Sequence, residues 1–96
     1  MAIQITYNAG VYEIYGMLNS QNSNALNSHI ENLMEHSKGI VLSLNKVLEI
    51  DSEAIKCITS LYNKAWGRDK MFYIIGMENK KVSEQFASLN LNNILL

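Results

Sequence analysis

EIDSEAIKCI, residues 49–58, is the stretch on which the reading of the chain turns. An apolar run closes at Ile50, Asp51 and Ser52 follow, and from Ala54 a helical pattern begins. Ile55, Ile58, Leu61, Tyr62 and Ala65 lie on one stripe at helical spacing. The stretch is therefore a strand-to-helix turn. Asp51 or Ser52 caps the helix by accepting a bond from a free backbone N–H. Glu53 falls in the first turn, where the helix dipole favours a negative charge by about 0.3–1 kcal/mol. On residue types alone Glu53 is a helix-starting acid.

Working outward, Ile40-Val41-Leu42-Ser43-Leu44 is short, apolar and rich in branched residues, and predicts a central strand. Before it, Leu26, Ile30, Leu33 and Met34 mark a helix that Ser37-Lys38-Gly39 ends. The polar loop Asn19–Ser23 offers several N-caps for that helix. Ile3, Ile5 and Tyr7 alternate with polar residues as a half-buried strand does. Asn8-Ala9-Gly10 is a turn, and Val11 to Met17 a second strand, so the pair predicts an antiparallel hairpin. Downstream of the second helix, which ends near Gly67, Met71 to Ile75 is a continuous apolar run that suits a strand covered on both faces. Val82, Phe86 and Leu89 mark a third, shorter helix. Ile94-Leu95-Leu96 is either a short last strand or an apolar tail docked on the core.

The predicted order is β-β-α-β-α-β-α. Strands alternating with helices imply right-handed crossovers and parallel pairing after the hairpin. The fold class is thus α/β, a small mixed sheet with helices packed on it, in one domain over residues 1–96. Apolar residues make up 48% of the chain, which supports a core and argues against disorder.

Charge and composition exclude several functions. Eight basic and nine acidic residues leave a net charge of −1, with no basic excess to neutralise phosphates, so a nucleic-acid partner is not expected. No apolar run approaches the roughly 20 residues that span a bilayer. The start, MAIQITYNAG, has no basic region followed by an apolar one, so no signal peptide is expected. The single Cys57 allows no internal disulfide. A cytoplasmic location is the expectation.

The chemistry of catalysis is thinly represented. His29 and His36 are seven residues apart on one helix. That separates them by about 10 Å along the axis, too far to share one metal ion. They are read as surface histidines, and Cys57 as a semi-buried structural thiol. The five glycines form neither a P-loop nor a dinucleotide fingerprint. Tyr62 and Trp66 stand near Lys64, Arg68 and Asp69 at the end of the second helix, as core aromatics beside a solvated turn or as an interface. No cofactor, metal or catalytic group is expected, and the chain is read as a binding module.

Several segments, in order, resemble the STAS domain of bacterial anti-sigma factor antagonists. Gly16-Met17-Leu18-Asn19 is similar to the family's G-x-L-D, and Ile40–Leu44 to its buried "vvlDl" strand. Val47-Leu48-Glu49-Ile50-Asp51-Ser52-Glu53-Ala54-Ile55 is similar to the hallmark V-x-x-I-D-S-S-G-L, and Gly76 with Val82, Phe86, Leu89 and Leu91 to the usual ending. The resemblance implies a non-enzymatic transcription regulator that binds a kinase-like anti-sigma factor. In the family, that kinase phosphorylates a serine or threonine two residues after the aspartate, and the modified protein lets go. Here that position is Glu53, which cannot accept a phosphoryl group. Its neighbour is Ala54 instead of glycine, and two acidic family positions are neutral at Asn19 and Ser43.

Three roles for the turn follow. Glu53, with about one charge and two oxygens, is a partial and permanent imitation of a phosphoserine, which carries about −1.5 to −2 and three acceptor oxygens. Alternatively Ser52 takes the phosphate, or Glu53 only supports the helix. The contact surface implied by the resemblance comprises Glu49, Asp51, Ser52, Glu53 and Ala54 of the turn, Lys56, Cys57 and Ser60 of the second helix, and Asn19 and Ser20 of the Asn19–Ser23 loop. The family also contains STAS subunits of transport or scaffold assemblies, such as the small partner of a lipid-transporting ATPase, which is the alternative role.

Overall fold

The computed structural model describes residues 3–96; Met1 and Ala2, the start of the segment read above for a signal peptide, lie outside the described residues. Strands β1 (Gln4–Asn8) and β2 (Val11–Leu18) form the expected antiparallel hairpin, with Asn8 opposite Val11. Ala9 and Gly10 between them both have positive φ, 53° and 86°. That is the twist a two-residue hairpin turn requires. Helix α1 (Ser23–Glu35), strand β3 (Gly39–Ser43), helix α2 (Ser52–Gly67), strand β5 (Met71–Ile75) and helix α3 (Lys80–Ser88) follow at the places the periodicity predicts.

One strand is additional. The sequence reading has a single strand between α1 and α2, and the structure has two, β3 and β4 (Val47–Ile50). The reason lies in β2, which takes two parallel partners in succession along one edge. Tyr12 and Glu13 face β3, and Gly16, Met17 and Leu18 face β4. The register slips between Gly16 and Met17, and Gly16 has φ 110°. Such a bulge needs a residue without a Cβ and bends the strand toward a new partner. The hallmark segment therefore enters the turn from a strand bonded to the end of β2.

The sheet runs β1-β2-β3-β5, with β3 and β5 parallel from Gly39 opposite Met71 to Ser43 opposite Ile75. It is the mixed sheet expected. Ile14, Ile40, Leu42, Phe72 and Ile74 fill one face, where Leu26, Ile30 and Met34 of α1 and Ala54, Ile55, Ile58, Leu61 and Ala65 of α2 cover them. Each large side chain so buried stabilises the fold by about 1.5–3 kcal/mol relative to exposure.

The expectation that β5 is covered on both faces is wrong. Met71 and Tyr73 remain 52% and 39% exposed, because the helices lie on the opposite face. Trp66 instead guards the sheet's edge. Its ring meets Tyr73 edge-on at 5.9 Å and its Nε1–H donates to Phe72 O at 3.3 Å. That occupies an edge carbonyl otherwise open to a foreign strand. The C-terminus combines the two expected forms. A 3-10 turn spans Asn92–Ile94, and Leu95 is buried and pairs with Ile74 in a single parallel bridge. Among the described residues no helix is long and apolar enough to cross a membrane.

Candidate functional site

Asp51 organises the turn. It holds extended backbone at φ −104°, ψ 172°, and its Oδ1 accepts from the Ala54 N–H at 2.9 Å. Asp51, and not Ser52, is thus the N-cap. Its other oxygen, Oδ2, accepts from the Ser20 N–H at 3.1 Å, and its own N–H donates to Leu18 O at 3.1 Å. One carboxylate therefore ties the β2–α1 loop to the β4–α2 turn, and the two become one surface.

The β2–α1 loop is held from within by asparagines. Asn19 Oδ1 accepts from the N–H groups of Gln21 and Asn22 at 2.9 and 3.2 Å. Asn22 accepts from the Asn19 N–H at 3.0 Å and donates through Nδ2 to Met17 O at 2.7 Å. Asn22 occupies the N-cap position of α1 without making a cap bond, and Ser23 is buried. The polar run read as a choice of caps serves mainly to shape this loop.

Of the residues named from the sequence, Ser20, Glu49, Ser52, Glu53, Lys56 and Ser60 are exposed, and Asn19, Asp51 and Cys57 are half-buried. Glu53, Lys56, Cys57 and Ser60 are spaced to share one stripe of α2. Glu53 Oε1 lies 3.7 Å from Lys56 Nζ, with both side chains about 60% exposed, 60% and 64%. Such a pair contributes about 0–1 kcal/mol and leaves Glu53 accessible. Ala54 is a correction: it is fully buried, so it supplies its N–H to Asp51 and offers no side-chain surface to a partner. His29 and His36 are exposed, and among the described residues no three His, Cys, Asp or Glu side chains gather as metal ligands.

Beside the turn lies an open groove of about 470 Å³, lined by Met17, Leu18, Asn19, Glu49, Ile50 and Asp51, and across from them by Lys81, Glu84 and Gln85 of α3. Lys81 Nζ is 3.7 Å from Glu49 Oε1. The α3 residues were missed in the sequence, where α3 shows only its apolar stripe. Asn79 sets their position. It caps α3, accepting from the Val82 N–H at 3.4 Å, and its Nδ2 reaches Val47 O at 2.8 Å and Leu44 O at 3.0 Å. It thereby fixes α3 against β4.

The STAS domain family model matches residues 1–95. This chain belongs to the STAS domain family. Among solved structures, this STAS domain is similar in fold to the anti-sigma factor antagonist SpoIIAA in its unphosphorylated form. The TM-score is 0.76 at 12% identity, covering 99% of this chain and 86% of that one. An anti-sigma factor antagonist from Mycobacterium paratuberculosis gives a TM-score of 0.79 at 18% identity, covering 98% and 81%. The Bacillus cell fate determinant SpoIIAA in its phosphorylated form gives 0.69 at 11% identity, covering 99% and 89%. Among curated protein sequences none matches.

Proposed function

We propose that this STAS domain is a non-enzymatic, protein-binding regulator of the anti-sigma factor antagonist kind, in which Glu53 holds a fixed negative charge in place of a switchable phosphate. The observation that carries the reading is the two-sided bonding of Asp51 to Ala54 N–H and Ser20 N–H. It makes the loop and the turn one preorganised surface, with Glu53 standing exposed beside it. Preorganisation lowers the ordering cost of binding. Asn19, Ser20, Glu49, Ser52, Glu53, Lys56, Cys57 and Ser60 supply the contacts. SpoIIAA, a neighbour in fold, exists in phosphorylated and unphosphorylated forms. Glu53 resembles the first in charge sign and cannot be reset, so the partner is one selected by a permanent carboxylate.

The test is affinity capture from a lysate of the source organism with wild type, Glu53→Ser and Glu53→Arg, each with and without ATP, followed by mass spectrometry. Wild type is expected to hold its partner regardless of ATP, and Glu53→Arg to lose it. Glu53→Ser is expected to acquire a phosphate at residue 53 and to bind a different set in its presence. Equal capture by all three chains would reduce Glu53 to a helix-starting acid. Phosphate on Ser52 of the wild type would overturn the fixed charge. A stable complex with an ATPase would assign the chain to a transport assembly.

A further inference from the structure

We infer that the groove between β2, β4 and α3 seats a long cationic side chain, arginine or lysine, presented by the protein that docks on the adjoining turn. The inference rests on the reading above and names the chemistry of that partner. Met17, Leu18 and Ile50 give the groove an apolar floor, and Glu49, Asp51 and Glu84 set three carboxylates on its rim against one ammonium, Lys81. Asp51 is already engaged by two backbone N–H groups. Glu49 and Glu84 are the carboxylates left for a guest.

Each half of the groove selects the same guest. A lysine or arginine lays its methylene stem on apolar surface and keeps its charged head at the rim. A guanidinium or ammonium there makes charge-assisted hydrogen bonds, stronger than neutral ones. An acidic guest meets two carboxylates, and a purely apolar one strips water from them without replacing its bonds. Glu84 makes no ion pair among the described residues, and Glu49 has only the 3.7 Å contact with Lys81, both side chains more than half exposed, 59% and 65%. Lys81 sits in the first turn of α3, where the dipole disfavours a cation. It is a resident counter-charge, loosely held, that a better-placed cation displaces.

The experiment titrates the nitrogen-15-labelled chain, residues 1–96, with the peptide acetyl-Leu-Arg-Leu-amide and follows backbone amide shifts. Counterparts with citrulline or glutamate in the centre are the controls. The arginine peptide is expected to move the amides of Met17, Leu18, Glu49, Ile50 and Glu84 to saturation. The citrulline peptide should bind about tenfold more weakly, a loss of one charge-assisted interaction. The double variant Glu49→Gln, Glu84→Gln should show the same loss, and Lys81→Ala should tighten binding about threefold, as expected for an exposed competing pair. Equal shifts with citrulline, or shifts shared evenly with Glu31, Asp69 and Glu78, would overturn the groove as a cation seat. The titration keeps the native acid at residue 53 throughout, and the capture assay varies only that residue. A failed titration therefore leaves the Glu53 capture result standing, and a failed capture leaves the titration readable.

Discussion

Helices α2 and α3 start in the same way and carry opposite charges at the same position. Asp51 and Asn79 are both N-caps with extended backbone, each accepting from the N–H three residues on. Each cap also reaches a distant segment: Asp51 holds the Ser20 N–H, and Asn79 holds the carbonyls of Leu44, just past β3, and of Val47, which begins β4. Two residues past each cap stand Glu53 and Lys81. The dipole favours the first and disfavours the second, by about 0.3–1 kcal/mol each. The fold accepts both, so helix stability does not choose the sign of charge there. The neighbours do. Lys81 has an acidic groove wall beside it in Glu49, whereas Glu53 has only Lys56, one turn along its own helix. Helix α3 thus begins for the sake of the fold, and α2 begins with a charge the fold hardly uses.

Breaking the caps should give the largest effects and should separate the two starts. Asn79→Ala should destabilise the chain by about 2–3 kcal/mol, because α3 loses its cap and the part-buried Val47 carbonyl loses this donor. Partner capture by the folded fraction should weaken less than in Asp51→Ala, because only the groove is loosened and the turn is kept. Urea unfolding followed by fluorescence of Trp66 reads the first, and the capture assay the second. Asp51→Ala should lose about 1–2 kcal/mol, the usual value of an N-cap, and should abolish capture because the Ser20 loop comes free. If Asn79→Ala abolishes capture and Asp51→Ala spares it, the assignment of roles is reversed.

Much of this contrast is legible in the sequence, and the limits have physical causes. Asp51 as cap and Glu53 as first-turn acid follow from local spacing, since a cap acts on an N–H three residues away. The helical stripes and the Asn8-Ala9-Gly10 hairpin are local for the same reason. What stays hidden is long-range. β4 exists because a bulge at Gly16 hands β2 from one partner to another, and no local pattern announces that exchange. The reach of Asn79 spans more than thirty residues, 32 to Val47 and 35 to Leu44. The open face of β5 is hidden for a different reason. Met71 and Tyr73 are apolar enough to look buried, and only the placement of both covering helices on one side leaves them exposed. The groove needs α3 docked across β4, so Lys81 and Glu84 carry no signal until the chain is folded.

Exchanging the charges of Glu53 and Lys81 should move stability least and probes the two helix starts most directly. Glu53→Lys should cost under about 1 kcal/mol, the dipole contribution at an exposed first turn. Lys81→Glu should change stability by less than about 0.5 kcal/mol, since a gain from the dipole is offset by repulsion from Glu49. Both shifts should shrink in 1 M salt, where the Debye length falls to about 3 Å. Urea midpoints at low and high salt measure them. A loss of several kcal/mol in Glu53→Lys, insensitive to salt, would mean that residue 53 is bound into the fold through packing, and the case for it as a charge kept for a partner would fail. With small, salt-screened changes, stability no longer accounts for the acid. Any loss of capture in Glu53→Lys must then come from the surface itself.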